Sequence, residues 1–106
     1  MPIKIDQRPN NIKTQLLLSV QRALLDEVET NLRAVQIDWN EEIETIHLYF
    51  YFDKKITPEN TNSASCVAGE VSGDFFPTVQ VIEECIQLDS PQKIPSHKLV
   101  AFRRKE

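Results

Sequence analysis

Two segments of alternating polarity restrict the fold of this chain more than any other feature. The first is LRAVQIDW, Leu32 to Trp39, and the second is TIHLYFYF, Thr45 to Phe52. A period of two is typical of a β-strand, because successive side chains point to opposite faces of a sheet. The residues between them, Asn40 to Glu44, are polar and few enough to form a hairpin connection. The sequence therefore predicts an antiparallel pair of strands.

We expect the two strands to share one apolar face and one aromatic, polar face. The apolar face consists of Val35, Ile37, Trp39, Ile46, Leu48, Phe50 and Phe52. The other face carries Gln36, Asp38, His47, Tyr49 and Tyr51. Rings that bear hydroxyl groups are uncommon where a strand is buried on both sides, so this second face is expected to be partly hydrated.

Helical periodicity precedes the hairpin. From Lys13 to about Glu29, apolar residues recur at spacings of three and four: Leu16, Leu17, Val20, Ala23, Leu24 and Val28. Asn10 and Asn11 are suited to cap the start of this helix, and Asn31 is suited to end it. The sequence therefore predicts one amphipathic helix before the strands.

A second helix is predicted after the hairpin. Thr57 is a suitable cap, Pro58 fits the first turn, and Glu59 places a negative charge near the positive end of the helix dipole. The apolar stripe of this helix consists of Ala64, Val67, Ala68, Val71 and Phe75. Small residues that would allow it to approach a sheet closely are Ala64, Ala68 and Gly69. We expect Gly73 and Asp74 to end it.

The remainder of the chain contains two further predicted strands. The segment Thr78–Leu88 has two apolar sets that compete for the buried face: Val79, Val81 and Cys85, and Ile82, Ile86 and Leu88. A β-bulge would reconcile the two sets. The segment Asp89–His97 contains two prolines and is predicted to be a loop, and Lys98–Arg104 is predicted to be the last strand.

These elements predict a single α+β domain over residues 1–106. We expect one antiparallel four-stranded sheet with two helices on one face, in the order α-β-β-α-β-β. A chain of 106 residues that is 41% hydrophobic can form a core without metal or disulfide bonds. Cys66 and Cys85 are therefore expected to be reduced thiols. With no signal peptide and no long apolar run, we expect a cytoplasmic protein without membrane contact.

Residue types that serve in metal and catalytic sites are scattered along the sequence. The histidines and cysteines are His47, Cys66, Cys85 and His97, and none lies within four positions of another. Metal sites need clustered ligands, so we expect no metal and no cofactor. The segment Ser63–Cys66 offers nucleophiles, yet it lies within a predicted helix and lacks the glycine-flanked turn of a nucleophile elbow.

Acidic pairs and glycines give no catalytic motif either. Glu83 and Glu84 are adjacent on a predicted strand, so their side chains point apart and cannot share a substrate. The chain has only two glycines, Gly69 and Gly73, which excludes a glycine-rich phosphate-binding loop. We therefore predict a protein without catalytic activity, with an enzyme that uses Cys66 or His47 as the remaining alternative.

The aromatic, polar face is the candidate for recognition. Large rings beside acceptors and a titratable group are typical of protein interfaces. The predicted partner-binding residues are Asp38, Glu41, Glu42, His47, Tyr49 and Tyr51. Two alternatives remain open: tyrosines on such a face also support cross-strand packing alone, and the face could pack against its own copy in a homodimer or small scaffold.

Several segments carry a family resemblance: RALLDEV from Arg22, NLRAVQIDW from Asn31, IHLYFYFD from Ile46, SASCVAGEV from Ser63 with DF at Asp74, and LVAFRRKE from Leu99. Together they resemble a family of small bacterial α+β proteins associated with immunity proteins of contact-dependent growth inhibition and related polymorphic toxin systems. The resemblance extends from about Arg22 to the C-terminus. It identifies no residues that contact a partner.

The resemblance implies a protein that binds a cognate toxin domain in the cytoplasm and blocks its active site or its access to substrate. Such toxins are commonly nucleases, and nuclease domains tend to be basic. The net charge of −4 would then speed encounter with the toxin by electrostatic steering. The same charge argues against binding to nucleic acid, which requires a surplus of lysine and arginine.

Overall fold

The computed structural model describes residues 9–75, 77–96 and 98–106. Within these residues the elements are α1 Pro9–Ala23, β1 Leu32–Asn40, β2 Thr45–Phe52, α2 Pro58–Phe75, β3 Gln80–Gln87 and β4 Leu99–Arg103. The strands lie in the sheet in the order β3-β2-β1-β4. Side chains from both helices enter one core with the apolar face of the sheet. The predicted α+β class, with two helices and a four-stranded sheet, is confirmed.

The predicted antiparallel sheet is wrong in one pair, because β3 runs parallel to β2. Helix α2 follows β2 and has 18 residues, about 27 Å at 1.5 Å per residue. This length is close to the roughly 26 Å of an eight-residue strand. The helix therefore returns the chain to the end of the sheet where β2 began, and β3 starts from there. β1 pairs antiparallel with both β2 and β4.

The predicted β1–β2 hairpin is confirmed, together with the division of its two faces. Cross-strand partners on the apolar face are Val35 and Phe50, Ile37 and Leu48, and Trp39 and Ile46. Partners on the opposite face are Gln36 and Tyr49, and Asp38 and His47. The apolar face forms the main core with the helices, where Phe50 and Phe52 are each 2% exposed.

Helix α1 ends at Ala23, earlier than predicted. After Ala23 the backbone tightens, since the Leu25 N–H donates to the Arg22 carbonyl, three residues before it. Asp26 has a φ of 66°, in the left-handed region where an α-helix cannot continue. Val28 belongs to the predicted apolar stripe, but it follows this turn and is 46% exposed.

The start of α1 also differs from the prediction. The helix already includes Pro9, Asn10 and Asn11, so the two asparagines lie in its first turn and not before it. Proline is favoured at the first helical position, because the N–H that it lacks would have no partner there. Asn31 lies beyond the turn that follows α1, and its side-chain amide donates to Asn60 Oδ1 at 2.8 Å.

The predicted start of α2 is confirmed. Thr57 Oγ1 accepts a hydrogen bond from the Asn60 N–H at 3.1 Å, and Asn60 Oδ1 accepts one from the Thr57 N–H at 3.0 Å. This reciprocal pair is a capping box with asparagine in the third position. All five residues of the predicted apolar stripe are buried. The helix passes Gly73 and ends at Phe75, and Gly69 is exposed, so neither glycine has its predicted role.

Strand β3 pairs with β2 without a shift in register, so the predicted bulge in this segment is wrong. The apolar residues of this segment alternate between the two faces of the sheet, and Ile82 among them is 39% exposed. Val81 and Cys85 contact the main core. Ile86 and Leu88 contact a smaller core on the opposite face.

A register shift occurs instead in β1, between Leu32 and Ala34. It places Leu32 in the main core and Ala34 in the smaller core, although regular alternation would put both on one face. Arg33, between them, is 2% exposed. Its guanidinium donates to the Glu106 carboxylate oxygens at 2.7 and 2.8 Å and to the Leu88 carbonyl at 2.7 Å.

The sheet face opposite the helices is only half open. Ile94, from the segment after β3, packs with Ala34 and Tyr51 in the smaller core, and the Gln36 side-chain amide donates to the Pro95 carbonyl. Tyr51 is 3% exposed and Gln36 is 1% exposed. The predicted hydration of this face is therefore wrong at these two positions. Its uncovered half lies toward the β1–β2 turn.

Candidate functional site

The uncovered half of the sheet face contains a depression of about 690 Å³ at the end of the β1–β2 hairpin. Its lining residues are Asp38, Trp39, Asn40, Glu41, Glu42, Ile43, Thr45, His47, Tyr49 and Ile82. Five of the six predicted partner-binding residues are among them. We call the following set the hairpin-end surface: Asp38, Glu41, Glu42, Ile43, His47, Tyr49, Ile82 and Glu84.

The turn between β1 and β2 forms one wall of the depression. Asn40 Oδ1 accepts hydrogen bonds from the N–H groups of Glu42, at 3.1 Å, and Ile43, at 3.4 Å. Asparagine is favoured in turns because its side chain can bind backbone groups in this way. The turn closes at Glu44, whose φ is 46°. As a result Glu41 and Glu42 are exposed, and Ile43 is 65% exposed.

Two stacked rings form the floor of the hairpin-end surface. The rings of His47 and Tyr49 have centroids 4.2 Å apart and planes inclined by 3°. His47 Nε2 lies 3.1 Å from Glu84 Oε1 on β3, and the Lys98 Nζ lies 4.9 Å from the centroid of the Tyr49 ring. These contacts with β3 and with the start of β4 restrict the orientation of both rings.

Asp38 and Tyr49 are linked electrostatically. The pKa of Tyr49 lies above its ordinary value, first because its hydroxyl is removed from water and then because of the charge of Asp38 and a hydrogen bond to it. Burial likewise raises the pKa of Tyr51, and the charges of Glu84 and Asp38 add to the effect. Both hydroxyls therefore stay neutral and able to donate hydrogen bonds at physiological pH.

Tyr51 is a predicted site residue that does not line the depression, whereas Ile82 and Glu84 belong to the hairpin-end surface without having been predicted. Tyr51 contributes to the smaller core, on the same face but beneath the segment that contains Ile94. Ile82 lies opposite His47, and Glu84 opposite Tyr49, in the parallel pairing of β2 and β3. The strand–helix–strand order of this part of the sequence was the signal for that pairing.

The depression is acidic. Three of its lining residues, Asp38, Glu41 and Glu42, carry carboxylates, and no lysine or arginine lines it in the part of the chain that the structure describes. Two exposed apolar side chains lie beside these carboxylates, since Ile43 is 65% exposed and Ile82 is 39% exposed. A surface that combines carboxylates, fixed rings and aliphatic groups is suited to contact a basic protein.

Cys66 and His47, the two residues of the catalytic alternative, are separated by the sheet. Cys66 is exposed on α2, which packs on the face opposite His47. In the part of the chain that the structure describes, no three His, Cys, Asp or Glu side chains are grouped to hold a metal ion. His97, which the sequence analysis considered as a ligand, lies outside the described residues. The predicted separation of the Glu83 and Glu84 side chains agrees with the pairing of β3, in which Glu84 alone shares the face of Tyr49.

Neither described helix combines the length and hydrophobicity that a bilayer span requires.

Comparison with curated proteins gave no match to the chain. Comparison with protein families gave a match over residues 13–106, which is nearly the whole sequence and includes every residue of the hairpin-end surface. The chain belongs to the MafI2 immunity protein family.

Proposed function

We propose that this protein neutralises a cognate toxin by binding it directly through the hairpin-end surface. Membership of an immunity protein family supports a toxin as the partner. The observation that carries the choice of surface is the depression itself, which brings together residues from three strands and the turn between β1 and β2. It has the fixed rings and the polar rim of a binding surface.

The charge of the surface supports a basic partner. The chain has a net charge of −4, and carboxylates of Asp38, Glu41 and Glu42 line the depression. A basic toxin domain, such as a nuclease, would be steered toward this end of the molecule and would compensate these charges on binding. We place this encounter in the cytoplasm, in a contact-dependent growth inhibition or related polymorphic toxin system.

We propose a binding role without catalysis. Cys66 and His47 lie on opposite sides of the sheet, so they cannot act together as nucleophile and base. Inhibition would then come from occupying the toxin's active site or its route to substrate. Binding to nucleic acid is disfavoured by the same carboxylates, which would repel phosphate groups.

Self-association through this surface is the less favoured alternative. In a twofold dimer the same patch meets itself. Glu41 and Glu42 would then approach their own copies, and juxtaposed like charges oppose association. A basic partner removes this repulsion, so the charge of the surface favours a toxin over a second copy of the chain.

The test is capture of the tagged protein from its own bacterium, followed by co-expression of the captured protein in a growth assay. The variant Glu42→Lys reverses one charge on the hairpin-end surface. The matched control Glu70→Lys makes the same change at an exposed position on α2. We expect wild type and Glu70→Lys to capture a basic toxin and to restore growth, and Glu42→Lys to do neither.

Two outcomes would contradict the proposal. Equal protection by both variants would place the toxin contact elsewhere on the molecule. A stable dimer of the wild type in light scattering that is lost in Glu42→Lys, with no toxin captured, would favour self-association.

A further inference from the structure

We propose that the depression of the hairpin-end surface receives an arginine side chain presented by the partner. This inference rests on the proposed function and specifies how the partner is recognised. Three carboxylates line a space of about 690 Å³, and none of the described residues that line it is lysine or arginine. Lys98 lies beside this depression, with its Nζ 4.9 Å from the centroid of the Tyr49 ring, and one ammonium against three carboxylates leaves negative charge that a cation of the partner can compensate.

The stacked rings favour a planar cation. One face of the His47 ring lies against Tyr49, with centroids 4.2 Å apart, and the His47 side chain retains 30% exposure. Guanidinium groups stack on aromatic planes while their N–H groups donate hydrogen bonds within the guanidinium plane. The ring pair already holds one cation, since the Lys98 ammonium lies 4.9 Å from the Tyr49 centroid.

The carboxylates are arranged to receive several donors. Asp38 lies directly across from His47 on the neighbouring strand, on the same face of the sheet. Glu42 lines the depression from the turn, where its backbone N–H donates a hydrogen bond to Asn40 Oδ1. A guanidinium has five N–H donors in one plane, so it suits a site that is lined by more than one carboxylate. A lysine ammonium would supply charge without this planar fit.

The rim suits the rest of an arginine side chain. Ile43 and Ile82 line the depression and are 65% and 39% exposed. The three methylene groups of arginine pack on apolar surface while the charged head binds elsewhere. Exposed isoleucines beside carboxylates therefore match both parts of an arginine side chain.

The direct test uses N-acetyl-L-arginine amide as the probe and follows backbone and side-chain NMR signals of the full chain. The matched probes are the citrulline analogue, which has nearly the same shape without charge, and the lysine analogue, which has charge without a plane. We expect saturable shifts at Asn40–Thr45, His47 and Ile82, with at least tenfold weaker binding of the citrulline analogue and clearly weaker binding of the lysine analogue.

Variants locate the binding site. Asp38→Asn and Glu42→Gln remove charge with little change in shape, and Glu42 lies in an exposed turn. We expect each to weaken arginine binding about tenfold or more, and Glu70→Gln on α2 to leave it unchanged. Equal binding of the three probes, an absence of saturable shifts, or shifts centred on α1 would each overturn the arginine site.

The outcome also separates this inference from the proposed function. Growth protection by the wild type that is lost in Glu42→Lys, together with no saturable arginine binding, would overturn the arginine site and leave toxin binding in place. Saturable arginine binding at the depression, together with full protection by Glu42→Lys, would support the arginine site and overturn its role in toxin binding.

Discussion

His47 Nε2 on β2 lies 3.1 Å from Glu84 Oε1 on β3 and so connects the hairpin to the edge strand that runs parallel to it. The contact exists because the crossover through α2 brings β3 beside β2. The hairpin-end surface is thus formed by three strands, although the predicted binding residues come from β1, β2 and the turn between them. Glu84 also orients the His47 ring, on which the Tyr49 ring stacks.

We expect this pair to contribute little to stability. The side chains of His47 and Glu84 are 30% and 52% exposed, and exposed ion pairs contribute less than about 1 kcal/mol. A double-mutant cycle of His47→Ala and Glu84→Ala, measured by urea unfolding, should give a coupling energy below about 1 kcal/mol that falls with added salt. A larger coupling that is insensitive to salt would mean that the pair has a structural role.

Phe50 should be among the residues whose truncation destabilises the fold most. It is 2% exposed, lies opposite Val35 and packs beneath both helices in the main core. Phe50→Ala should reduce the free energy of unfolding by about 3 to 5 kcal/mol. Ile43→Ala, at 65% exposure in the turn, is the control and should change it by less than about 0.5 kcal/mol. Equal urea midpoints for Phe50→Ala and wild type would contradict the assigned face of β2.

The hairpin and α2 could be predicted from sequence because local pattern determines them. Alternation in β1 and β2 specifies which residues face each other, and Thr57 with Pro58 marks a helix start whatever the rest of the chain does. The parallel pairing of β3 depends instead on the end of the sheet to which α2 returns the chain. Alternation within each strand assigns residues to faces, but it does not show in which direction β3 runs after the crossover through α2.

Coverage of the outer face could not be read from local pattern. The segment that carries Ile94 and Pro95 was predicted to be a loop, and nothing in its sequence indicates which surface it crosses. Its packing buries Tyr51 and leaves Tyr49 half exposed, although the two residues look equivalent in the sequence. Alternation indicates on which face of the sheet a side chain lies. Whether the side chain is buried on that face depends on contacts with residues distant in sequence.

The two tyrosines should therefore respond differently to truncation. Tyr49→Ala should weaken binding to the toxin by about 1 kcal/mol or more, as for interface anchors, and should change the fold little. Tyr51→Ala should instead destabilise the fold, because it empties a position in the smaller core that is 3% exposed. Calorimetric binding and urea unfolding of both variants test this. Similar losses of affinity for two equally stable variants would contradict the division.

The Arg33–Glu106 contact should make stability depend on pH in the acid range. The pKa of Glu106 is lowered from 4.5 to about 2, first by the hydrogen bonds from Arg33 and, against the opposing effect of burial, also by a hydrogen bond from Arg104. Because the folded-state pKa is depressed, the stabilisation is present above pH 4.5 and is lost as pH falls through about 2. The variant Glu106→Gln should be less stable than wild type at pH 7, and the difference should narrow below pH 4.5 and nearly vanish near pH 2. Urea unfolding of both proteins across this range measures the difference, and a value that stays constant down to pH 2 would show that Glu106 stabilises the fold without its charge.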